Sequence, residues 1–347
     1  MITVSVCMIV KNEEAVLSRC LDCLNGIADE IIIVDTGSTD STREIAENYT
    51  SHLYHFPWRG DFSSARNFAF SKATKDYIYS ADADEVIDEE NRKKFLALKR
   101  DLSPEVELVQ MRYANQLQFN TNYNFDVEYR PKLFRRVRSF RWIEPVHETV
   151  DLTLRMLDSE IEVVHRPTAL HARRDFIIFQ KAVKKSPLDP RLHRMYAKEL
   201  FMAGKPDDFL AAYPYFEQTL HEETRSLDDI RVSQCVVVRC ARQQGDPAAM
   251  FKAALKNVIG GTPCAEVCCD LGDYFQSLGD FEEAATWYYT AAFGAESELD
   301  LRAAGTVPLQ KLADCYGALG LPEKAEACRA KALQRAAPAP DEMIYSK

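Results

Sequence analysis

Apolar runs that alternate with amphipathic segments constrain the first half of the chain more than any other feature. Val4 to Val10 is a continuous apolar run, which is typical of a strand covered on both faces. Glu14 to Leu24 follows with the periodicity of an amphipathic helix, and Glu30 to Val34 is a second buried run. Tyr77 to Ala81 continues the pattern. The alternation predicts an α/β domain built on a mostly parallel sheet.

Two helix starts lie between these strands. Ser41 and Glu44 have the spacing of a capping box, which predicts a helix running to about Tyr49. Asp61 is expected to cap a second helix from Phe62 to about Ala73.

The strand signal ends at about Asp175, and from there the chain has the pattern of successive helices. Two stretches share one spacing of small and large residues. The first contains Leu271, Gly272, Phe275, Gly279, Ala284, Tyr288 and Ala291, and the second contains Leu312, Ala313, Tyr316, Gly320, Ala325 and Ala332. This spacing is typical of tetratricopeptide repeats, in which paired helices pack through small residues. We predict an α/β domain over residues 1–172, an all-α tetratricopeptide-like domain over 173–337 and a tail over 338–347.

Composition excludes some classes of function. The net charge of -10 argues against broad nucleic-acid binding, which needs a basic face. No apolar run reaches about 18 residues, so we expect no transmembrane segment. Ile2 to Val10 lacks the basic leader and cleavage site of a signal peptide. We therefore expect a cytoplasmic protein whose ten cysteines are mostly reduced and buried.

Polar residues follow three of the predicted strands. Asn12, Asp35 and Asp82 each come just after an apolar run. Ligands of parallel α/β sheets bind outside the carboxyl ends of the strands. These three side chains should therefore lie along one edge of the sheet, although they are far apart in sequence.

The pair Asp82-x-Asp84 is the most specific indication of a ligand-binding site in the sequence. Two carboxylates at this spacing after a strand can bind one Mg²⁺ or Mn²⁺, or one can bind the cation and the other a ribose. A lone pair of this kind is common in ordinary loops. Arg66, early on a predicted helix, suits contact with a base or a phosphate, or else a surface ion pair.

A basic segment follows later in the first half. Its members are Arg130, Lys132, Arg135, Arg136, Arg138 and Arg141. They suit binding of a diphosphate or an anionic acceptor, or else form the charged face of a solvated edge strand. Trp142 comes next and could stack on a sugar, and the pair His147-Glu148 offers a general base. His165, at the end of another apolar run, is a candidate metal ligand.

Four motifs stand in order along this half of the chain. They are Val6-Cys7-Met8-Ile9-Val10-Lys11-Asn12-Glu13-Glu14, Ile33-Val34-Asp35-Thr36-Gly37-Ser38-Thr39-Asp40, Ala65-Arg66-Asn67 and Asp82-Ala83-Asp84-Glu85. Their order and spacing resemble family 2 glycosyltransferases of the GT-A fold, which has a Rossmann-like, mostly parallel sheet. The helical repeats make the chain similar to a bacterial subgroup that includes peptide cysteine S-glycosyltransferases of glycocin biosynthesis.

The resemblance implies a role for each matched residue. Asp35 would bind the nucleotide base, a uracil in a UDP-sugar, with Asn12 and Glu13 lining the same pocket. Arg66 would contact the nucleotide. Asp82 would face ribose and metal, while Asp84 and His165 would hold Mn²⁺ or Mg²⁺. Glu148, beside His147, would be the base, and Trp142 and Arg135 would meet the acceptor or the diphosphate.

The implied reaction is a single inverting displacement that moves a hexose to a peptide, protein or glycan. The helical domain would hold the acceptor or a partner, and a homodimer through the repeats stays open. Two alternatives compete. A nucleotidyltransferase would carry a Gly-rich basic loop where Lys11-Asn12-Glu13-Glu14 stands. A non-catalytic scaffold with a nucleotide-binding domain would be expected to have lost carboxylates such as Asp35, Asp82 and Asp84.

Overall fold

The computed structural model describes residues 1–114, 127–137, 141–150, 155–166 and 172–336. The chain divides into two compact units, Met1–Ala182 and Val183–Lys347. The boundary predicted after residue 172 stays a prediction, and it coincides with the start of a helix, Ala172–Val183. The predicted tail over 338–347 lies outside the described residues.

The first unit combines strands and helices. Its strands are β1 Val4–Val10, β2 Glu30–Asp35, β3 Leu53–His55, β4 Tyr77–Ala81, β5 Glu85–Val86, β6 Leu108–Ala114, β7 Glu128–Arg135, β8 Trp142–Ile143, β9 Thr149–Val150 and β10 Met156–His165. Its helices are α1 Leu17–Cys23, α2 Thr42–Glu47, α3 Phe62–Phe70, α4 Glu89–Asp101 and α5 Ala172–Val183. The predicted α/β organisation of this half is confirmed.

An eight-stranded sheet has the order β3-β2-β1-β4-β7-β6-β10-β5, and β8 and β9 form a separate pair. β1 pairs in parallel with both β2 and β4, and β2 pairs in parallel with β3. β7 runs antiparallel between β4 and β6, and the short β5 runs antiparallel to β10. All other strands share one direction. Their carboxyl ends therefore form one edge of the sheet.

Aspartate side chains at or beside their first residues cap the helices α3 and α2. Asp61 caps α3 as predicted, and its carboxylate accepts a hydrogen bond from Ser64 N at 3.1 Å. The capping box predicted for α2 is wrong, because the Ser41 side chain makes no cap bond. Asp40 replaces it and accepts from both Thr42 N and Thr42 Oγ1, at 3.0 and 2.5 Å.

The second unit is all-α, as predicted. After α5, its helices are α6 Pro190–Ala203, α7 Pro206–Thr219, α8 Leu227–Gln244, α9 Pro247–Ile259, α10 Ala265–Ser277, α11 Phe281–Phe293, α12 Thr306–Ala318 and α13 Pro322–Ala336. The two copies read from the sequence correspond to α10–α11 and α12–α13. They lie farther apart than the ~34-residue tetratricopeptide period because the 3-10 helix Leu301–Ala304 stands between them.

Gly272 shows how one helix pair packs through a small residue. A Cβ built on Gly272 would lie 2.5 Å from Cε1 of Tyr288, well inside van der Waals contact. Tyr288 is fully buried, and its hydroxyl donates to Asp273 Oδ1 at 2.6 Å, so its ring cannot move aside freely.

Gly272→Ala is therefore expected to lower the free energy of unfolding by about 1–3 kcal/mol, the usual cost of overpacking. Urea denaturation of the full chain measures it. Gly317→Ala is the matched control, since a Cβ on that α12 glycine meets nothing within 4 Å. That change is expected to be neutral or slightly stabilising, because alanine has the higher helix propensity. Equal destabilisation by both variants would contradict the packing explanation.

All ten cysteines are free thiols, and most of them are buried. Among the helices of the described residues, none combines the length and the apolar character needed to cross a membrane.

Candidate functional site

The strand register brings the predicted polar residues to one edge of the sheet. Asp35 on β2 is the register partner of Val10 on β1, and Asn12 follows Val10 by two residues. Asp82 follows Ala81, whose partner on β1 is Met8. Asn12, Asp35 and Asp82 thus stand at the carboxyl ends of three adjacent parallel strands.

Asp35 is buried at the end of β2 and faces a tight loop. Its two carboxylate oxygens accept hydrogen bonds from Gly37 N at 3.2 Å and Ser38 N at 3.0 Å. Gly37 has a φ of 105°, a conformation that favours glycine. On the other side, His55 Nδ1 lies 3.6 Å from Asp35 Oδ2, and the His55 side chain is exposed. The sequence did not indicate His55, because its proximity depends on the pairing of β2 with β3.

Asn12 and Glu13, in the loop after β1, are hydrogen-bonded to the segment that follows β2. Asn12 N donates to Ser38 Oγ at 3.0 Å, and Asn12 Oδ1 accepts from Thr39 N at 2.8 Å. Glu13 N donates to Thr42 Oγ1 at 2.7 Å. These bonds hold both residues beside the Asp35 loop, where they were expected.

A buried charge cluster lies beneath the turn that follows β4. Lys132 on β7 contacts the carboxylate of Glu85 and lies 3.6 Å from Asp82 Oδ2. Burial raises the pKa of Glu85 to about 7, although Lys132 opposes the shift. Burial would also raise the pKa of Asp82, but Arg66 and Lys132 outweigh it and hold that pKa well below its usual value. Asp82 is therefore an ionised carboxylate bound between two cations.

Asp84 lies in this turn next to His165. Their Oδ2 and Nε2 atoms are 3.0 Å apart, because β5 pairs with the end of β10 and His165 is the register partner of Glu85. The backbone reinforces the arrangement, since Arg166 N donates to Asp84 O at 2.8 Å. Asp84 and His165 are thus adjacent, as their predicted shared role requires.

This pair fits a divalent cation. His165 Nδ1 is buried and makes no hydrogen bond with the described residues. A carboxylate oxygen and an imidazole nitrogen are both ligands that Mn²⁺ accepts, whereas Mg²⁺ prefers oxygen. No group of three or more acidic, histidine or cysteine residues within the described residues could hold a metal. The protein would supply two ligands and leave positions open for a diphosphate.

Arg66 is bonded to protein groups on both sides of the predicted site. Its guanidinium is largely buried and bonds to Glu148 Oε1 at 2.5 Å, Ser80 Oγ at 3.0 Å and Asp82 Oδ1 at 2.7 Å. Burial would lower the pKa of Arg66, but the carboxylates of Asp82 and Glu148 raise it above its usual value. These three bonds join the guanidinium to other protein groups, and its expected contact with the nucleotide stays a prediction.

Glu148 lies in a segment with unusual backbone geometry. Within the described residues, the non-glycine residues with a positive φ are Asn12 at 56°, Glu144 at 76° and His147 at 47°. All three belong to or adjoin the predicted site. Backbone strain of this kind persists only where surrounding contacts impose it, and it concentrates at functional sites. The His147 ring lies 5.7 Å from that of Phe179.

Trp142 is not a free surface for stacking on a sugar. It is 8% exposed, and its ring packs against Phe70 and Phe134 at centroid distances of 5.8 and 5.6 Å. The Arg66 guanidinium lies 5.1 Å from the ring centroid. The predicted acceptor contact is therefore corrected: Trp142 belongs to the core beside the site.

The basic segment does not form one continuous patch. Arg135 is opposite Tyr77 at the start of β4, and Arg136 donates to Lys75 O at 2.5 Å, so both lie at the far edge of the sheet. The expected role of Arg135 with the acceptor or diphosphate is corrected accordingly. The solvated-edge alternative is also wrong, since β7 is an interior strand. Arg138 lies outside the described residues.

Comparison with a family model identifies the first unit. Residues 5–159 match the family model described as Glycosyl transferase family 2. The first unit is a family 2 glycosyltransferase domain. This match and the mostly parallel sheet confirm the predicted GT-A class of the glycosyltransferase domain.

Several curated proteins are similar to the chain. A TPR repeat-containing protein of Synechococcus elongatus is 36% identical over 162 residues, which are 46% of this chain and 38% of that protein. The SPbeta prophage-derived glycosyltransferase SunS of Bacillus subtilis is 24% identical over 256 residues, 69% of this chain and 58% of SunS. The lipopolysaccharide core biosynthesis glycosyltransferase LpsC of Rhizobium meliloti is 31% identical over 147 residues, 41% of this chain and 51% of LpsC.

The chain thus spans less than two thirds of the length of each of these relatives. Among solved structures, glucosyl-3-phosphoglycerate synthase from Mycobacterium tuberculosis is 14% identical with a TM-score of 0.40, over 54% of this chain and 81% of that one.

Proposed function

We propose that the chain is an inverting, metal-dependent glycosyltransferase that moves a hexose from a UDP-sugar to a protein, peptide or glycan. One observation carries the proposal. In a family 2 domain, Asp35 is buried at the carboxyl end of β2, Asp84 is paired with His165, and Arg66 bonds to both Asp82 and the largely buried Glu148.

The spacing of the strands suits a nucleoside diphosphate. Asp35 ends β2 and Asp82 follows β4, with β1 between them. Two strand spacings are about 10 Å, which matches the reach from a base to its ribose and first phosphate. Asp35 would accept a hydrogen bond from the base, and Asn12 and Glu13 would border it.

Charge at the site supports a divalent cation held by Asp84 and His165. Among the residues that the structure describes, the carboxylates of Asp82, Asp84 and Glu148 stand against two cations, Arg66 and Lys132, and Lys132 also contacts Glu85. The excess is negative, as a site that receives a cation requires. When bound, the cation would offset the charge that develops on the leaving diphosphate.

Glu148 is the proposed base, with His147 next to it. It is a largely buried carboxylate whose Oε1 is bound by Arg66, so the side chain is fixed before an acceptor arrives. It would take the acceptor's proton as the acceptor attacks the anomeric carbon. A single displacement of this kind inverts the configuration at that carbon.

The acceptor is assigned only by class. The relatives include a protein named for lipopolysaccharide core biosynthesis, which favours a glycan, and a glycosyltransferase named SunS that matches over a larger part of this chain. We propose that the paired helices of the second unit bind the acceptor, since stacked helix pairs provide extended binding surfaces. The free thiols and the UDP-sugar donor fit the predicted cytoplasmic location.

A panel of nucleotide sugars tests the proposal. The purified chain is incubated with Mn²⁺ and each of several UDP-, GDP-, ADP- and CDP-sugars, and the released nucleotide is measured. We expect slow, Mn²⁺-dependent release of UDP from one UDP-hexose, with water as the acceptor. UDP binding without any release would favour the scaffold alternative, and neither binding nor release by a folded sample would contradict the proposal.

A further inference from the structure

We infer that Arg66 and Asn67 are positioning residues that hold Glu148 against the donor side of the site. The inference rests on the proposed function, because it takes Glu148 as the base. It assigns to Arg66 a role through protein groups rather than through the nucleotide.

Helix α3 anchors the segment that leads to Glu148. The Asn67 side chain clamps the backbone of Trp142 from both sides, since its Nδ2 donates to Trp142 O and its Oδ1 accepts from Trp142 N, each at 2.9 Å. At the start of the helix, Phe62 N donates to Pro145 O at 3.0 Å. Two points of α3 thus fix the path of the chain before it reaches the base.

Arg66 provides a third anchor, which connects Glu148 to Asp82 on the donor side. Its Nε binds the Glu148 carboxylate at 2.5 Å, and a terminal nitrogen binds Asp82 Oδ1 at 2.7 Å. The other terminal nitrogen donates to Ser80 Oγ at the end of β4, at 3.0 Å. Because a guanidinium is planar and rigid, these bonds set the separation of Glu148 and Asp82.

The local backbone needs such support. Glu144 and His147 have φ values of 76° and 47°, which cost free energy in residues other than glycine. A segment with two strained residues would relax if its anchors were removed. The carboxylate of Glu148 would then shift relative to the donor.

The substitution Arg66→Lys separates the two roles. Arg66→Lys keeps the positive charge but cannot make three bonds in one plane. If Arg66 positions the base, the loss should fall on the chemical step and should depend on Glu148. If Arg66 binds the nucleotide, the loss should fall on donor affinity and should not depend on Glu148.

The experiment is a double-mutant cycle on the full chain. Arg66→Lys, Glu148→Gln and the double variant are compared with the wild type in Mn²⁺-dependent release of UDP from the UDP-hexose that the wild type turns over fastest. We expect Arg66→Lys to lower kcat at least about 10-fold and to change the donor KM less than about 3-fold, since a misplacement of about 1 Å can cost 100-fold. In the Glu148→Gln background the same change should cost less than about 3-fold.

Asn67→Ala is the second variant, because it removes the clamp without touching a carboxylate. It should also lower kcat with unchanged UDP affinity, and thermal melting must show that both variants are folded. If Arg66→Lys does not fold, Asn67→Ala provides the test. An unchanged kcat in Asn67→Ala would overturn the inference. An Arg66→Lys effect that is equally large in the Glu148→Gln background, with a raised KM, would overturn it too. Absence of UDP release by the folded wild type would contradict the proposed function and, with it, this inference.

Discussion

Asp84→Ala is expected to lower Mn²⁺-dependent release of UDP by at least about 100-fold. The residue supplies the carboxylate of the proposed metal pair, with His165 Nε2 3.0 Å away. A bound metal contributes several kcal/mol to stabilising a charged transition state, and each 1.36 kcal/mol is a factor of ten in rate. Initial rates of UDP release over a range of Mn²⁺ concentrations measure the effect.

Asp101→Ala is the matched control for this variant. Asp101 is exposed at the end of α4 and paired with its neighbour Arg100, so the change removes the same charge away from the site. We expect wild-type rates from it. An Asp84→Ala protein that is folded and releases UDP at more than about a tenth of the wild-type rate would exclude Asp84 as a metal ligand.

Glu148→Gln is expected to lower kcat by about 100- to 10,000-fold, the range typical of lost general-base catalysis. Glutamine keeps an oxygen for Arg66, so the segment should stay in place and the affinity for UDP should change little. Steady-state kinetics with the best UDP-hexose and calorimetric titration with UDP separate the two quantities.

The control here is Glu105→Gln. Glu105 is an exposed residue whose partner is Arg155, and the substitution changes the same side chain without touching the site. A fall in UDP affinity in Glu148→Gln, with kcat unchanged, would show that Glu148 binds the donor and that another group takes the proton.

Much of the donor side of the site could be predicted from the sequence. The apolar runs ending near Asn12, Asp35 and Asp82 mark strands, and the carboxyl ends of parallel strands share an edge. That rule requires only that each strand be recognised from its own apolar run. It placed these residues together without knowledge of any long-range pairing.

The contacts of Arg66 and Lys132 could not be predicted in this way. Both depend on where β7 and the segment after it enter the sheet, and β7 inserts antiparallel between β4 and β6. A sequence segment with six basic residues looks like a surface, yet its one lysine, Lys132, is buried against Glu85. Trp142 is a similar case, since only its tertiary packing shows that its ring faces are covered.

Binding of Mn²⁺ in the presence of UDP tests the central claim most directly. The full chain is titrated with Mn²⁺ with and without UDP, and bound metal is followed by electron paramagnetic resonance. We predict that UDP strengthens Mn²⁺ binding in the wild type and that Asp84→Ala abolishes this effect, because the cation would join Asp84 and His165 to the diphosphate. Equal Mn²⁺ binding with and without UDP, or a UDP effect that survives Asp84→Ala, would contradict a metal–nucleotide site at this edge of the sheet.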